Sequence, residues 1–147
     1  MAPQKKPAGN RQFSVRVPSA TFDELDRRAR ERGVPRNALT ERYIAEGVRM
    51  DEHPGIAFRE GALGRRAVLA GTRLDVWQVI ETVRDSGNSV EEAAEYLGLP
   101  VSRIQVAVDY YALHRDEIDD IAEREHAAAE RAEAAWRAGE ELFAQGS

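Results

Sequence analysis

The sequence predicts a mainly α-helical fold with a short N-terminal β-ribbon formed in a dimer, then a small β-hairpin and helix-turn-helix-like domain, then a C-terminal helix. Three observations lead there. In RQFSVRVP, Phe13, Val15 and Val17 alternate with Gln12, Ser14 and Arg16, the two-residue period of a strand. Farther on, capping pairs such as SVEE and helix-stopping glycines punctuate apolar residues spaced three and four apart. From Asp116 the chain is rich in Ala, Glu and Arg and free of proline, which favours helix.

Composition narrows the function classes. A chain of 147 residues fits one domain, or two small ones sharing some core. No segment is long and apolar enough to span a bilayer, and no signal-peptide pattern opens the chain, so no membrane partner is expected. The absence of cysteine excludes a disulfide framework or thiolate metal site and suits the cytoplasm. Three scattered histidines argue against zinc, and no cofactor is expected. The net charge of −5 hides an asymmetry. Residues 1–50 hold eleven Lys/Arg against six Asp/Glu, 51–114 hold six against ten, and 115–147 hold four against ten. A basic head on an acidic body suits a polyanion at one end and a different partner at the other.

Residues 1–10, MAPQKKPAGN, lack periodicity and read as a disordered arm. The strand that follows ends at Pro18, and Ser19 is the expected N-cap of a helix through Arg32 with Phe22, Leu25 and Ala29 on its apolar face. Gly33 stops that helix. Pro35 suits the first turn of a second helix, about 36–50, expected to bury Leu39, Tyr43, Ile44 and Val48. A lone strand and two short helices cannot hide their apolar faces, so residues 11–50 are expected to pair, strand to strand, in a twofold homodimer.

This segment resembles the ribbon-helix-helix repressors of the Arc and MetJ class. The resemblance rests on QFSVRVP, the two helices and the glycine between them. In that class the ribbon lies in the major groove of operator DNA. The resemblance implies that Gln12, Ser14 and Arg16 contact bases: Arg suits guanine, Gln adenine and Ser either. It places Arg36 and Asn37 at the start of the second helix, where free amides and the helix dipole favour a phosphate. The family often carries Ser or Thr just before this point, whereas this chain has Val34-Pro35.

Residues 51–115 change character. The spacing predicts a hairpin, roughly 56–59 against 66–70, and a helix over 75–85 with Val76, Trp77, Ile80 and Val83 inward. Ser89 and Glu92 form a capping box for a short helix closed by Gly98, and SRIQ at 102–105 opens another through about Leu113. Helix, GLP turn and helix have a helix-turn-helix rhythm. Among residues 89–114, however, Arg103 is the one Lys or Arg, against Glu91, Glu92, Glu95 and Asp109. DNA binding rests largely on phosphate neutralisation, so a packing or dimerising module is the better reading. The Gly71-Thr72-Arg73 corner has no nucleophile, base or carboxylate cluster beside it in sequence. It reads as a structural turn with Arg73 in a salt bridge, and no enzymatic activity is expected.

The same segment resembles domain-of-unknown-function family 433. Its pattern is met by Gly64, Gly71-Thr72-Arg73, Ser89, Glu91-Glu92 and the pair Tyr110-Tyr111. Two positions depart. The family usually has Pro where this chain has Asp75, and often Pro where it has Arg66. The resemblance implies an antitoxin beside a PIN-like ribonuclease toxin.

The acidic tail, 116–147, carries one thin apolar stripe: Ile118, Ile121, Ala128, Ala132, Trp136 and Phe143. An amphipathic helix of this kind suits another protein's groove, with Trp136 as an anchor. Expected toxin-binding residues are Ile118, Ile121, Arg131, Trp136, Arg137 and Phe143. Arg131 and Arg137 are the candidates to reach the acidic, magnesium-binding residues that the resemblance implies in the toxin. The whole reads as a type II antitoxin of the VapB kind that also represses its own operon. A stand-alone transcriptional regulator without a toxin is the alternative.

Overall fold

The computed structural model describes residues 9–146, and these form six helices and one two-stranded antiparallel sheet. The elements are α1 (Ser19–Arg32), α2 (Arg36–Glu52), β1 (Ile56–Gly61), β2 (Gly64–Leu69), α3 (Val76–Asp85), α4 (Val90–Leu97), α5 (Val101–Leu113) and α6 (Arg115–Ala144). The expected arm, 1–10, lies outside the described residues apart from Gly9 and Asn10. No helix among the described residues is long and apolar enough to cross a membrane. Contacts divide the chain into two units, 1–43 and 44–147.

In the first unit, residues 9–18 form neither helix nor strand in the single chain. Phe13, Val15 and Val17 are 70%, 67% and 45% exposed. Ser19 is not the cap of α1 but its first residue. Pro18 stands at the N-cap with φ −56°, and its carbonyl accepts from Phe22 N at 3.1 Å. Proline's fixed φ presets this entry without a side-chain oxygen. Gly33 closes α1 in the left-handed region, φ +66°, where Gly33 N reaches Arg30 O and Val34 N reaches Ala29 O at 3.1 and 3.0 Å. Ala29 and Leu39 are buried, whereas Phe22 and Tyr43 are exposed. The expected burial of Tyr43, and of Ile44 and Val48 farther along α2, is not met in the single chain. A helix buries only the stripe that another layer covers, and among the described residues nothing covers theirs.

The second unit begins inside α2, before the 50/51 boundary suggested by sequence. The reason is ionic. Arg65 grips Glu46 with two parallel bonds of 2.6 and 2.7 Å, and Arg49 donates to Tyr110 Oη at 3.1 Å and Glu117 Oε1 at 2.5 Å. β1 and β2 pair in a tight hairpin, from Ile56 opposite Leu69 to Gly61 opposite Gly64. Asp75 is the N-cap of α3 rather than its first residue, and Gln78 Oε1 accepts from its backbone N at 3.0 Å. Val79 joins Val76 and Ile80 inward, while Trp77 and Val83 pack at the core's edge.

Ser89 Oγ caps α4 by accepting from Glu92 N at 3.1 Å, and Gly98 ends it at φ +67°. The other half of the expected box is replaced, because Ser89 N donates to Ser86 O at 3.2 Å. α5 starts one residue before the expected cap Ser102, with Pro100 at the N-cap as at α1. The core gathers Ile56, Leu69, Val76, Val79, Ile104 and Tyr110 with their neighbours. Tyr110 is the largest wholly buried side chain there. α6 packs on α3 and α5 through its first turns. Beyond Ala128 it leaves the core, and of residues 129–146 all but Gly139 are exposed.

Candidate functional site

The expected DNA-reading row is open to solvent. Gln12, Ser14 and Arg16 are all exposed, as are the apolar residues that alternate with them. Arg36 and Asn37 do begin α2 and are exposed. Arg36, however, already lies over the Phe22 ring at 4.5 Å and reaches Asp26 at 3.5 Å. Its guanidinium is therefore engaged locally, within its own unit.

The expected toxin-binding residues separate into two groups. Ile118 and Ile121 are 2% and 6% exposed and pack inward, so they hold α6 to its own unit. A hydrophobic side chain that close to a core is drawn into it, and the thin stripe carried no sign of where the core ends. Arg131, Trp136, Arg137 and Phe143 are exposed on the free part of α6, and Leu142, which the periodicity did not single out, is 70% exposed beside them. Arg137 pairs with Glu133 one turn back. Trp136 and Phe143 stand 64% and 81% exposed, two aromatics with Gly139 between them.

The middle of the chain holds a charge cluster built around the buried Asp75 and Arg66. Asp75, 1% exposed, accepts from Arg59 Nε and Nη2 at 3.0 and 2.6 Å on Oδ1, and from Arg66 Nη1 and Trp77 Nε1 at 2.8 and 3.0 Å on Oδ2. Arg66 also pairs with Glu125 of α6. Burial pulls the Arg66 pKa down, but hydrogen bonds to Asp75 and Glu125 outweigh it and hold the pKa above the usual value. Two cations and two anions thus balance while joining β1, β2, α3 and α6.

The Gly71-Thr72-Arg73 corner is a turn. Gly71 has φ +76°, and Thr72 Oγ1 donates to Leu69 O at 2.8 Å and accepts from Leu74 N at 3.1 Å. The expected salt bridge of Arg73 is not made, since its exposed guanidinium has no ion pair among the described residues. Arg103 instead braces the corner by donating to Ala70 O. This basic residue of 89–114 is therefore committed to the fold.

The paired tyrosines divide their work because adjacent helical residues point about 100° apart. Tyr110 Oη, inside, donates to Glu117 at 2.8 Å and accepts from Arg49. Tyr111 Oη donates to Asp119 at 2.7 Å and accepts from Arg84 at 2.6 Å. Burial, with the Glu117 hydrogen bond second, pushes the Tyr110 pKa up.

Against Tyr110 lie two of the three histidines that look scattered in sequence. His53 and His114 pack on its ring at centroid distances of 5.1 and 4.4 Å. With Glu52 they bring three ligand atoms within 4.8 Å of one another, a grouping that could hold a metal ion. The 61-residue separation hid it; only the fold brings the end of α2 to the α5–α6 corner.

No curated protein and no solved structure matches the chain. Residues 56–111, from the first hairpin strand to the paired tyrosines, match the family model described as "Protein of unknown function (DUF433)".

Proposed function

We propose that the chain is an antitoxin of the VapB kind. Residues 11–50 read operator DNA as a ribbon-helix-helix homodimer, and the free end of α6 lies in the groove of a PIN-like ribonuclease. The observation that carries this reading is a matched pair of unfinished surfaces at opposite ends of the sequence. At one end an alternating segment, with Phe13, Val15 and Val17 bare, has backbone donors and acceptors without a sheet partner in the single chain. A second copy would supply the ladder and cover the apolar face, turning Gln12, Ser14 and Arg16 outward together. At the other end, 18 residues, 129–146, project from the core and present Trp136, Leu142 and Phe143. Exposed aromatics on a helix are the usual anchors of helix-in-groove recognition.

The experiment pairs the full chain with a PIN-like ribonuclease encoded beside its gene. The full chain is expected to co-purify with it and suppress RNA cleavage, and a chain ending at 129 is expected to do neither. Suppression by the shortened chain would move the contact into the middle unit. An absence of any such neighbour would favour a stand-alone regulator.

A further inference from the structure

We infer that Glu52, His53 and His114 form a binding site for a late first-row divalent ion of the Zn²⁺ type. Two observations converge on it. One ligand atom from each residue lies within 4.8 Å of the others. Independently, the Nε2 atoms of both His53 and His114 are buried and have no hydrogen-bond partner among the described residues. A buried polar atom left unpaired is costly, and two on neighbouring rings are unusual unless something else satisfies both.

The surroundings favour a cation held by nitrogen. Imidazoles with one carboxylate form a donor set suited to Zn²⁺ and its neighbours, whereas Mg²⁺ and Ca²⁺ prefer oxygen alone. The backbone at both histidines is fixed. His53 N donates to Arg49 O at 2.9 Å and His114 N to Tyr110 O at 3.0 Å. Packing on Tyr110 restrains the two rings, which meet edge to face at 5.5 Å. Glu52, at the end of α2, is exposed and can swing in to supply the anionic ligand. Zn–N bonds of about 2.0–2.1 Å in a tetrahedron put ligand atoms about 3.4 Å apart, so atoms now within 4.8 Å of one another need close by no more than about 1.4 Å on binding. The neighbouring cation, Arg49, is neutralised by Glu117 at 2.5 Å and so does not stand as a free positive charge against the ion. Three protein ligands leave one coordination position for water. The ion would pin the end of α2 to the corner between α5 and α6.

The test uses the untagged full chain, stripped with chelator and titrated with Zn²⁺ by calorimetry and by ¹⁵N–¹H NMR of the histidine rings. Binding of one ion per chain is expected, with the Nε2 resonances of His53 and His114 moving and those of His126 staying in place. His53→Gln and His114→Gln should each weaken Zn²⁺ binding by at least about tenfold, Glu52→Gln by less, and His126→Gln not at all. Mg²⁺ should shift nothing. The wild-type NMR titration decides the matter even if a variant fails to fold. No movement of the His53 and His114 rings at millimolar Zn²⁺, or movement confined to His126, overturns the site.

Discussion

Arg66 Nη1 donates to Asp75 Oδ2 at 2.8 Å, with side chains only 8% and 1% exposed. Both positions lie within residues 56–111, the part that matches the family model. The two side chains act as one structural feature. A buried cation introduced alone would be costly, and so would a buried carboxylate; introduced together they neutralise each other. Asp75 also receives Arg59 and Trp77, which leaves its oxygens well satisfied.

Removing one member should therefore cost far more than a surface change. Asp75→Asn is expected to lower stability by about 3 kcal/mol, because Arg66 would keep its burial and be left with Glu125 in place of two counter-charges. The Arg66→Met/Asp75→Asn double variant should be less destabilised than the sum of the two singles. Urea unfolding of all four proteins measures the coupling, and additive losses would show that the pair acts as two independent groups.

The hairpin end predicts a related sensitivity. A Cβ at Gly61 would lie 2.6 Å from Arg66 Cζ, and that guanidinium is held by Asp75 and Glu125. Gly61→Ala should cost about 1–3 kcal/mol, as overpacking does. Gly64 has open space but φ +112°, so alanine there strains the backbone instead. Adding Arg66→Met to each should relieve the Gly61 defect and leave the Gly64 defect, as read from thermal unfolding.

α6 should divide sharply into a structural and a free part. Ile118→Ala is expected to cost about 2–5 kcal/mol, the usual loss for a buried large-to-small change. Trp136→Ala and Phe143→Ala should change the isolated protein's stability by less than about 0.5 kcal/mol. Truncation at 129 should leave cooperative unfolding intact, whereas truncation at 115 should abolish it. A large loss of stability on Trp136→Ala would mean that the aromatic packs on this chain and is not kept for a partner.

The pH dependence has a definite sign at His126. Its Nε2 meets Glu81, and that hydrogen bond first, then the Glu81 charge, raises the pKa above 6.5. A raised folded value contributes stability that is fully present below the unfolded pKa and lost as pH rises through the folded one. The NMR midpoint of His126 should lie above 6.5 and return toward it in Glu81→Gln. A wild-type midpoint at or below 6.5 would remove the pair from the account.

What could be read from sequence follows from which interactions are local. The helices at 19–32, 36–52 and 76–85 are legible because their spacing and stops lie within a few residues of one another, and Gly33 and Gly98 end helices as expected, each in the left-handed region. Cap positions were less legible, since Pro18 and Pro100 serve where Ser19 and Ser102 were expected. A serine beside a proline signals a helix start without saying which residue stands outside it. The Arg49–Tyr110–Glu117 group and the His53–His114 pair were not legible at all. Their members are ordinary residues whose meeting depends on how α2, α5 and α6 pack. The tail's stripe was visible, but not the point near Ala128 where it stops serving the core and becomes free.

Fluorescence anisotropy can show whether residues 11–50 read DNA as a dimer. The full chain would be titrated, at one fixed salt concentration, into the DNA upstream of its own gene and into a scrambled duplex of equal composition. Dimeric binding that favours the upstream DNA is expected. Arg16→Ala should weaken that binding by about 1–3 kcal/mol while changing scrambled binding far less, as expected of a base contact. Equal affinity for the two duplexes, or an Arg16→Ala protein that discriminates as well as wild type, would contradict it.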